Sequence, residues 1–368
     1  MKRTYRNYGL VLLVCIVMGF GGCTKQKTSP SVTTDVPVRT TVASSESETK
    51  TVAPKVKLGS IATVYGTQSF NDDIRDGIKA ASDKYGIENI CLEVPDVGDA
   101  ANSMRTLIGQ GANFLIIGSA DYQDAMIEIS EEYPDVKFLY LANLLDQPYP
   151  NIMTTEYAEN EGAFLLGALA GMLTKTNNVG TVAAVKGDSV QEKYTWGFST
   201  GAKYANSNIT VQNEFTNSYA DINTGNEVAT VMYQKNADIV SCYAGACNLG
   251  VFNAANSAGD GKYCFGAAKG QFEKMPNKII ASLVKPVDET ILAVVGDYID
   301  NGVFSPSKPL KLGLATKGVI VKYTNQNDAL LKMITPEIDA KMKTLEGAVI
   351  SGKIVPPSTE AEYKNFAF

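Results

Sequence analysis

Ten short apolar runs punctuate this chain, and most are followed by a stretch whose apolar residues recur at helical spacing. They are KLGSIATV (57–64), ENICLEV (88–94), NFLIIGS (113–119), KFLYLA (137–142), IMTTEY (152–157), VGTVAAV (179–185), ITVQNEF (209–215), ADIVSCYAG (237–245), KYCFGAA (262–268) and KIIASLV (278–284). Residues 73–85, 121–133 and 160–175 are examples of the helical pattern between them. A continuous apolar strand is buried on both faces, and strands that alternate with helices build parallel sheets covered by helices on either side. Ten strands are too many for one small domain and suit two α/β lobes. In open α/β sheets ligands bind beyond the carboxyl ends of the strands. The segments there read YGTQSFND (65–72), SADY (119–122), KGDS (186–189), GACN (245–248) and AKGQ (268–271). They are polar and aromatic, and none of these segments carries a GxSxG, GxxxxGK[ST] or GxGxxG motif.

Composition removes whole classes of chemistry. The chain has no histidine, so imidazole serves neither as a general base nor as a metal ligand. With no CxxC pair either, no zinc site and no cofactor is expected. Lys and Arg number 33 against 39 Asp and Glu. Setting aside the first 22 residues, which hold Lys2, Arg3 and Arg6 and no acid, leaves 30 against 39. An acidic body lacks the electrostatic footprint of a nucleic-acid binder, so no such partner is expected.

The amino terminus is a separate unit. Lys2, Arg3 and Arg6 precede an apolar run of 13 residues, Tyr8–Phe20, and Gly21 and Gly22 lead to Cys23. An apolar run this short behind basic residues is an export signal rather than a membrane-spanning helix. Phe20-Gly21-Gly22-Cys23 resembles the bacterial lipobox, although Phe20 stands where Leu is usual. That resemblance implies cleavage after residue 22 and lipidation of Cys23. The other reading is an ordinary cleaved signal with an incidental cysteine. Residues 24–54 are rich in Ser and Thr with scattered Pro. Such a segment cannot bury enough apolar surface to offset its ordering entropy, and reads as a flexible tether over 23–55. The expected location is the extracytoplasmic face of the cell membrane, held by a lipid anchor. Of the remaining cysteines, Cys91, Cys242 and Cys264 fall in strand-like runs. Cys242 and Cys247 are close enough in sequence to pair, but nothing in the spacing demands it.

Several segments occur in a telling order. Ser69-Phe70-Asn71 follows the first strand, and Tyr133-Pro134-Asp135-Val136-Lys137-Phe138 leads the fourth. Asn151 opens the fifth, and residues 161–171 (EGAFLLGALAG) follow it. Then come residues 197–202 (GFSTGA), Tyr219-Ala220-Asp221, Ser282-Leu283-Val284-Lys285 and residues 350–356 (ISGKIVP). In this order they resemble the basic membrane protein family of ABC-transporter substrate-binding lipoproteins, which includes purine nucleoside receptors. The resemblance spans about Lys57 to Pro357. It implies a type I periplasmic binding protein fold, with two Rossmann-like lobes, three chain crossings near 151–157, 283–288 and 310–322, and a ligand in the cleft. Lobe 1 would be 56–155 plus 286–315, and lobe 2 would be 156–285 plus 316–368. The implied partners are a small ligand and an ABC permease in the membrane, with the receptor acting as a monomer.

The resemblance also distributes roles. Phe70 aligns with a base-stacking aromatic and Tyr194 with its counterpart from the other lobe. Two such rings sandwich a flat ring at about 1–3 kcal/mol per stacked base. Asn71 would read the edge of that ring, or cap the helix after it, with Ser69 beside it. Lys285 would reach the polar remainder of the ligand. Asp121 and Gly245, both just past strands, are further ligand candidates. Trp196 either lines the cleft or packs on its own lobe. Two positions depart from the family pattern. Ala268 stands where nucleoside-binding members place an Asp on the ribose hydroxyls, and Gly118-Ser119-Ala120-Asp121-Tyr122 replaces a Gly-aromatic pair. A purine nucleoside bound less tightly, or a ligand without a ribose diol, is what those exchanges imply. The alternatives are a sensory lipoprotein of the same fold and a nucleoside hydrolase using paired carboxylates. No positioned carboxylate pair is visible in the sequence, so no enzyme activity is expected.

Overall fold

A computed structural model describes residues 55–368; the export signal, Cys23 and nearly all of the tether lie outside the described residues. All ten apolar runs form strands. A first sheet holds β1 (Lys57–Ala62), β2 (Glu88–Glu93), β3 (Phe114–Ile117), β4 (Lys137–Tyr140) and β5 (Ile152–Tyr157). A second holds β6 (Asn178–Ala183), β7 (Thr210–Phe215), β8 (Ile239–Cys242), β9 (Tyr263–Gly266) and β10 (Ile279–Val284). Two short strands complete them: β11 (Leu310–Leu312) beside β5, and β12 (Ile320–Tyr323) beside β10. The sheets run β2-β1-β3-β4-β5-β11 and β7-β6-β8-β9-β10-β12, so the two lobes repeat one topology. The expectation of wholly parallel sheets fails at one edge, where β12 runs antiparallel to β10. The chain reaches β12 from the other lobe, without the crossover helix that holds neighbouring strands parallel.

The helices are α1 (Phe70–Tyr85), α2 (Ala100–Gly109), α3 (Gln123–Glu132), α4 (Glu159–Leu173), α5 (Ser189–Ala205) and α6 (Ile222–Gln234). They continue with α7 (Asn248–Ser257), α8 (Val287–Asn301), α9 (Asp328–Leu331), α10 (Pro336–Ile350) and α11 (Glu360–Lys364). The chain passes between lobes three times: at Ala158 between β5 and α4, at Lys285 and Pro286 between β10 and α8, and over 313–319 between β11 and β12. The second passage carries α8 back against α1 in lobe 1. A Cβ on Gly77 of α1 would come 2.7 Å from Asp288 Cα.

In lobe 2, α4 is buried on nearly every side and crosses α5 at backbone contact. A Cβ on Gly201 would lie 1.8 Å from the Phe164 carbonyl oxygen, and one on Gly167 2.0 Å from that of Phe198. The glycines of EGAFLLGALAG and GFSTGA are therefore a helix-crossing device, and the crossing sets the rotation of α5. The four cysteines among the described residues are free: Cys242 Sγ donates to the Phe265 carbonyl at 3.3 Å and Cys247 Sγ to that of Ser218 at 3.2 Å. No helix among the described residues is long and apolar enough to cross a membrane.

Candidate ligand-binding site

Between the carboxyl ends of the two sheets lies a cavity of about 920 Å³, counting the open water at its mouth. Lobe 1 lines it with Ser69, Phe70 and Asn71 after β1 and Asp121 after β3; lobe 2 lines it with Tyr194 on α5 and Gly245 after β8. Lys285 enters from the second passage. Seven of the eight residues singled out from the sequence thus border one space. Trp196 does not, and its placement in the cleft is corrected here. Two residues along a helix is about 200° of rotation, so α5 cannot turn both Tyr194 and Trp196 to the cavity. The Trp196 indole N–H donates to Glu192, and the ring packs 5.0 Å from that of Tyr363 near the carboxyl terminus. Ala268 is buried and does not border the cavity, whereas its neighbour Ala267 does.

Local structure explains how each side chain is held. Phe70 opens α1 and packs on the end of β3, where a Cβ on Gly118 would come 3.0 Å from Phe70 Cε1. Asn71 Nδ2 donates to the Val64 carbonyl at 3.2 Å, which leaves Oδ1 free for a ligand. Ser69 caps α1 with its carbonyl, taking the N–H groups of Asp72 and Asp73, while its hydroxyl pairs with Thr67 Oγ1 at 2.8 Å. Gly245 has φ +60°, and a Cβ there would lie 2.7 Å from the Tyr219 carbonyl oxygen, so only glycine fits this turn. Asp121 is exposed at the rim.

The aromatic groups depart from a simple sandwich. Tyr194 stacks on Tyr243, ring centroids 4.3 Å apart and 10° from parallel, so one face of Tyr194 is already covered. Lys285 Nζ sits 4.3 Å from the centroid of the Phe70 ring and 5.6 Å from that of Tyr194, in the range of cation–π attraction. Burial, and then the Glu159 charge, push the Tyr194 phenol well above its usual range, so it stays a neutral donor. Lys285 is itself buried and needs a counter-charge. Glu159, fully buried at the start of α4, provides it with Oε1 at 3.2 Å. Glu159 Oε2 has no hydrogen-bond partner and lies 3.5 Å from Lys193 Nζ. Glu161 Oε2 accepts the N–H of Leu314 at 2.8 Å. The first turn of α4 therefore ties the first passage between lobes to the second and to the third.

Sequence reasoning did not single out Tyr219, Tyr243, Asn143, Gln191, Asn248 or Gln271, all of which border the cavity. Asn248 and Gln271 close the post-strand segments GACN and AKGQ, so position alone pointed near them. Tyr219 opens the family segment Tyr219-Ala220-Asp221, and nothing local marked the other three.

A family model described as ABC transporter substrate-binding protein, PnrA-like, matches residues 59–358. The chain belongs to this family, Bmp. The matched span contains both sheets but for Lys57 and Leu58 of β1, and every residue that borders the cavity. Among relatives of this Bmp protein, Basic membrane protein A1 of Borrelia garinii is 28% identical over 315 residues, covering 85% of this chain and 91% of that protein. Basic membrane protein D of Borreliella burgdorferi is 31% identical over 273 residues, covering 73% of this chain and 77% of that protein. The fold is similar to that of an ABC transporter solute-binding protein from Aeropyrum pernix, with TM-score 0.74 at 19% identity over 84% of this chain and 96% of the other. A transcriptional activator from Bacillus halodurans shares it too, with TM-score 0.66 at 18% identity over 83% of this chain and 100% of the other. At such identities the likeness is one of fold alone.

Proposed function

We propose that this Bmp protein is a receptor that closes its lobes on a small flat heteroaromatic ligand, a purine nucleoside or a close relative, and hands it to an ABC permease. The observation that carries this reading is the convergence of Phe70 and Asn71 from one lobe with Tyr194 from the other on a single cavity, with Lys285 between the rings. On this reading no bond is made or broken. The receptor works as a monomer on the extracytoplasmic face, tethered through an acylated Cys23. Its lobes, 56–155 plus 286–315 and 156–285 plus 316–368, move as units about the three passages. Contacts across the mouth fit a closing molecule: Lys269 Nζ pairs with Asp288 at 2.7 Å, and Lys274 Nζ donates to the Gly66 carbonyl at 3.4 Å.

The test is a thermal-shift and calorimetric panel of inosine, guanosine, adenosine and the free bases. A ligand at a hundred times its Kd stabilises the folded state by about 2.7 kcal/mol, enough to move the melting temperature by several degrees. No shift with any member of the panel would contradict the reading.

A further inference from the structure

Three carboxamides on lobe 2 repeat one arrangement. Gln191 Oε1 accepts the backbone N–H of Ala184, Asn248 Oδ1 that of Ala244, and Gln271 Oε1 that of Ala267, each at 2.8 Å. Those N–H groups lie just past β6, β8 and β9, which are neighbours in the sheet. A buried N–H needs an acceptor, so each amide must turn its oxygen to the backbone and its NH2 the other way. Gly266 leaves room for one of them, since a Cβ there would come 2.6 Å from Gln271 Oε1.

The side chains of Gln191, Asn248 and Gln271 are 3%, 2% and 1% exposed, and all three border the cavity. The Gln191 amide lies beside the Tyr219 hydroxyl, itself at the cavity wall. The nitrogens of Asn248 and Gln271 have no partner among the described residues. The sealed side-chain atoms without a partner are Tyr65 Oη, Gln68 Oε1 and Glu159 Oε2, so neither nitrogen is sealed. Both therefore touch open space, and the open space they line is the cavity. Lobe 1 is turned the opposite way. Asn71 and Asn143 spend their nitrogens on the Val64 and Leu141 carbonyls, at 3.2 and 3.0 Å, and keep their oxygens free.

We propose that Asn248 and Gln271, flanked by Gln191 with its amide on Tyr219, form a row of hydrogen-bond donors that selects ligands with an acceptor edge of carbonyl oxygens and ring nitrogens. Within the ligand class proposed above, on which this inference rests, that means an oxopurine rather than an aminopurine. A buried donor row rejects a competitor that offers it another donor, because the groups on both sides are left unpaired.

The experiment is calorimetric titration of the whole protein with inosine and with adenosine: on the edge of position 6 and N7, inosine presents two acceptors and adenosine an exocyclic amino donor beside one acceptor. Inosine is expected to bind about tenfold or more tighter. Asn248→Asp and Gln271→Glu keep the backbone clamp, since a carboxylate oxygen accepts the same N–H, but replace the donor with an anionic acceptor. Each should weaken inosine by about tenfold or more and adenosine by less; the buried carboxylate also lowers the melting temperature, so affinities are read well below each variant's unfolding transition. A preference for adenosine, or variants with unchanged inosine affinity, would overturn the donor row. Should either variant fail to fold, the other variant and the wild-type preference decide. If neither nucleoside binds, the purine reading fails separately. The donor row is then judged on the molecule that co-purifies with the wild type by mass spectrometry: lower occupancy in the variants supports it, and unchanged occupancy overturns it.

Discussion

Lobe 1 and lobe 2 repeat one strand order, β2-β1-β3-β4-β5 against β7-β6-β8-β9-β10, and meet at the carboxyl edges of both sheets. Their edges nevertheless carry different chemistry. Lobe 1 offers a phenyl ring with free amide oxygens, while lobe 2 offers a stacked tyrosine pair and amide nitrogens. The helix crossings differ in closeness as well: a Cβ on Gly201 would lie 1.8 Å from a backbone oxygen of α4 in lobe 2, whereas one on Gly77 would lie 2.7 Å from Asp288 Cα of α8 in lobe 1, and Gly109 at the end of α2 faces open space. Topology decides where a site lies, and the side chains just past each strand decide what it holds.

The largest effect should come from the charge pair that links the passages between the lobes. Lys285→Met leaves the buried Glu159 carboxylate with Lys193 at 3.5 Å as its remaining counter-charge, and denaturant unfolding should show a loss of up to about 3–5 kcal/mol. Lys285→Met with Glu159→Leu should recover most of that loss. A single variant as stable as the wild type would mean that the passages are not braced by this pair.

Next comes the contrast in helix packing. Gly201→Ala forces a Cβ into the Phe164 carbonyl and should cost about 1–3 kcal/mol. Gly109→Ala in lobe 1 should be neutral or stabilise by up to about 1 kcal/mol. Equal effects in thermal unfolding would mean that the α4–α5 crossing does not depend on its glycines.

Asp73 sharpens the comparison where the lobes meet. Burial raises its carboxyl from 3.8 to about 7, against the lowering influence of Lys269 from lobe 2; Asp288, Asp76 and Asp72 push it further up. A carboxyl whose folded pKa is raised contributes stability that is full below its unfolded pKa and is lost as pH rises through the folded value. The contribution therefore disappears between about pH 4 and pH 7. Asp73→Asn should stabilise the protein at pH 8 by up to about 4 kcal/mol relative to its effect at pH 4. A pH-independent effect would show that the carboxyl is not held up by its surroundings. The smallest effect on binding should be that of Trp196→Ala, with ligand affinity within about twofold while packing against Tyr363 is lost. A large loss of affinity without a change in stability would return Trp196 to the cleft.

The strands were legible because each is buried on both faces, which writes a continuous apolar run into the sequence. β11 and β12 were not, because LKL and IVKY are three- and four-residue edge strands with exposed lysines. Phe70, Asn71 and Lys285 were found through family segments, and the post-strand rule agrees with them. Trp196 was misplaced as a cleft candidate because the phase of α5 is set by contacts with α4 some thirty residues earlier, which no local pattern carries. The Tyr194–Tyr243 stack and the amide orientations depend on pairings between separate strands and helices. The Lys285–Glu159 pair joins residues 126 apart in sequence.

That the two lobes grip one ligand from opposite sides is tested most directly by a pair of calorimetric titrations. Phe70→Ala in lobe 1 and Tyr194→Ala in lobe 2 are each titrated with the tightest binder of the purine panel and compared with the wild type. Both variants are expected to bind that ligand about tenfold or more weakly while remaining folded. Wild-type affinity in either variant would contradict a site shared between the lobes.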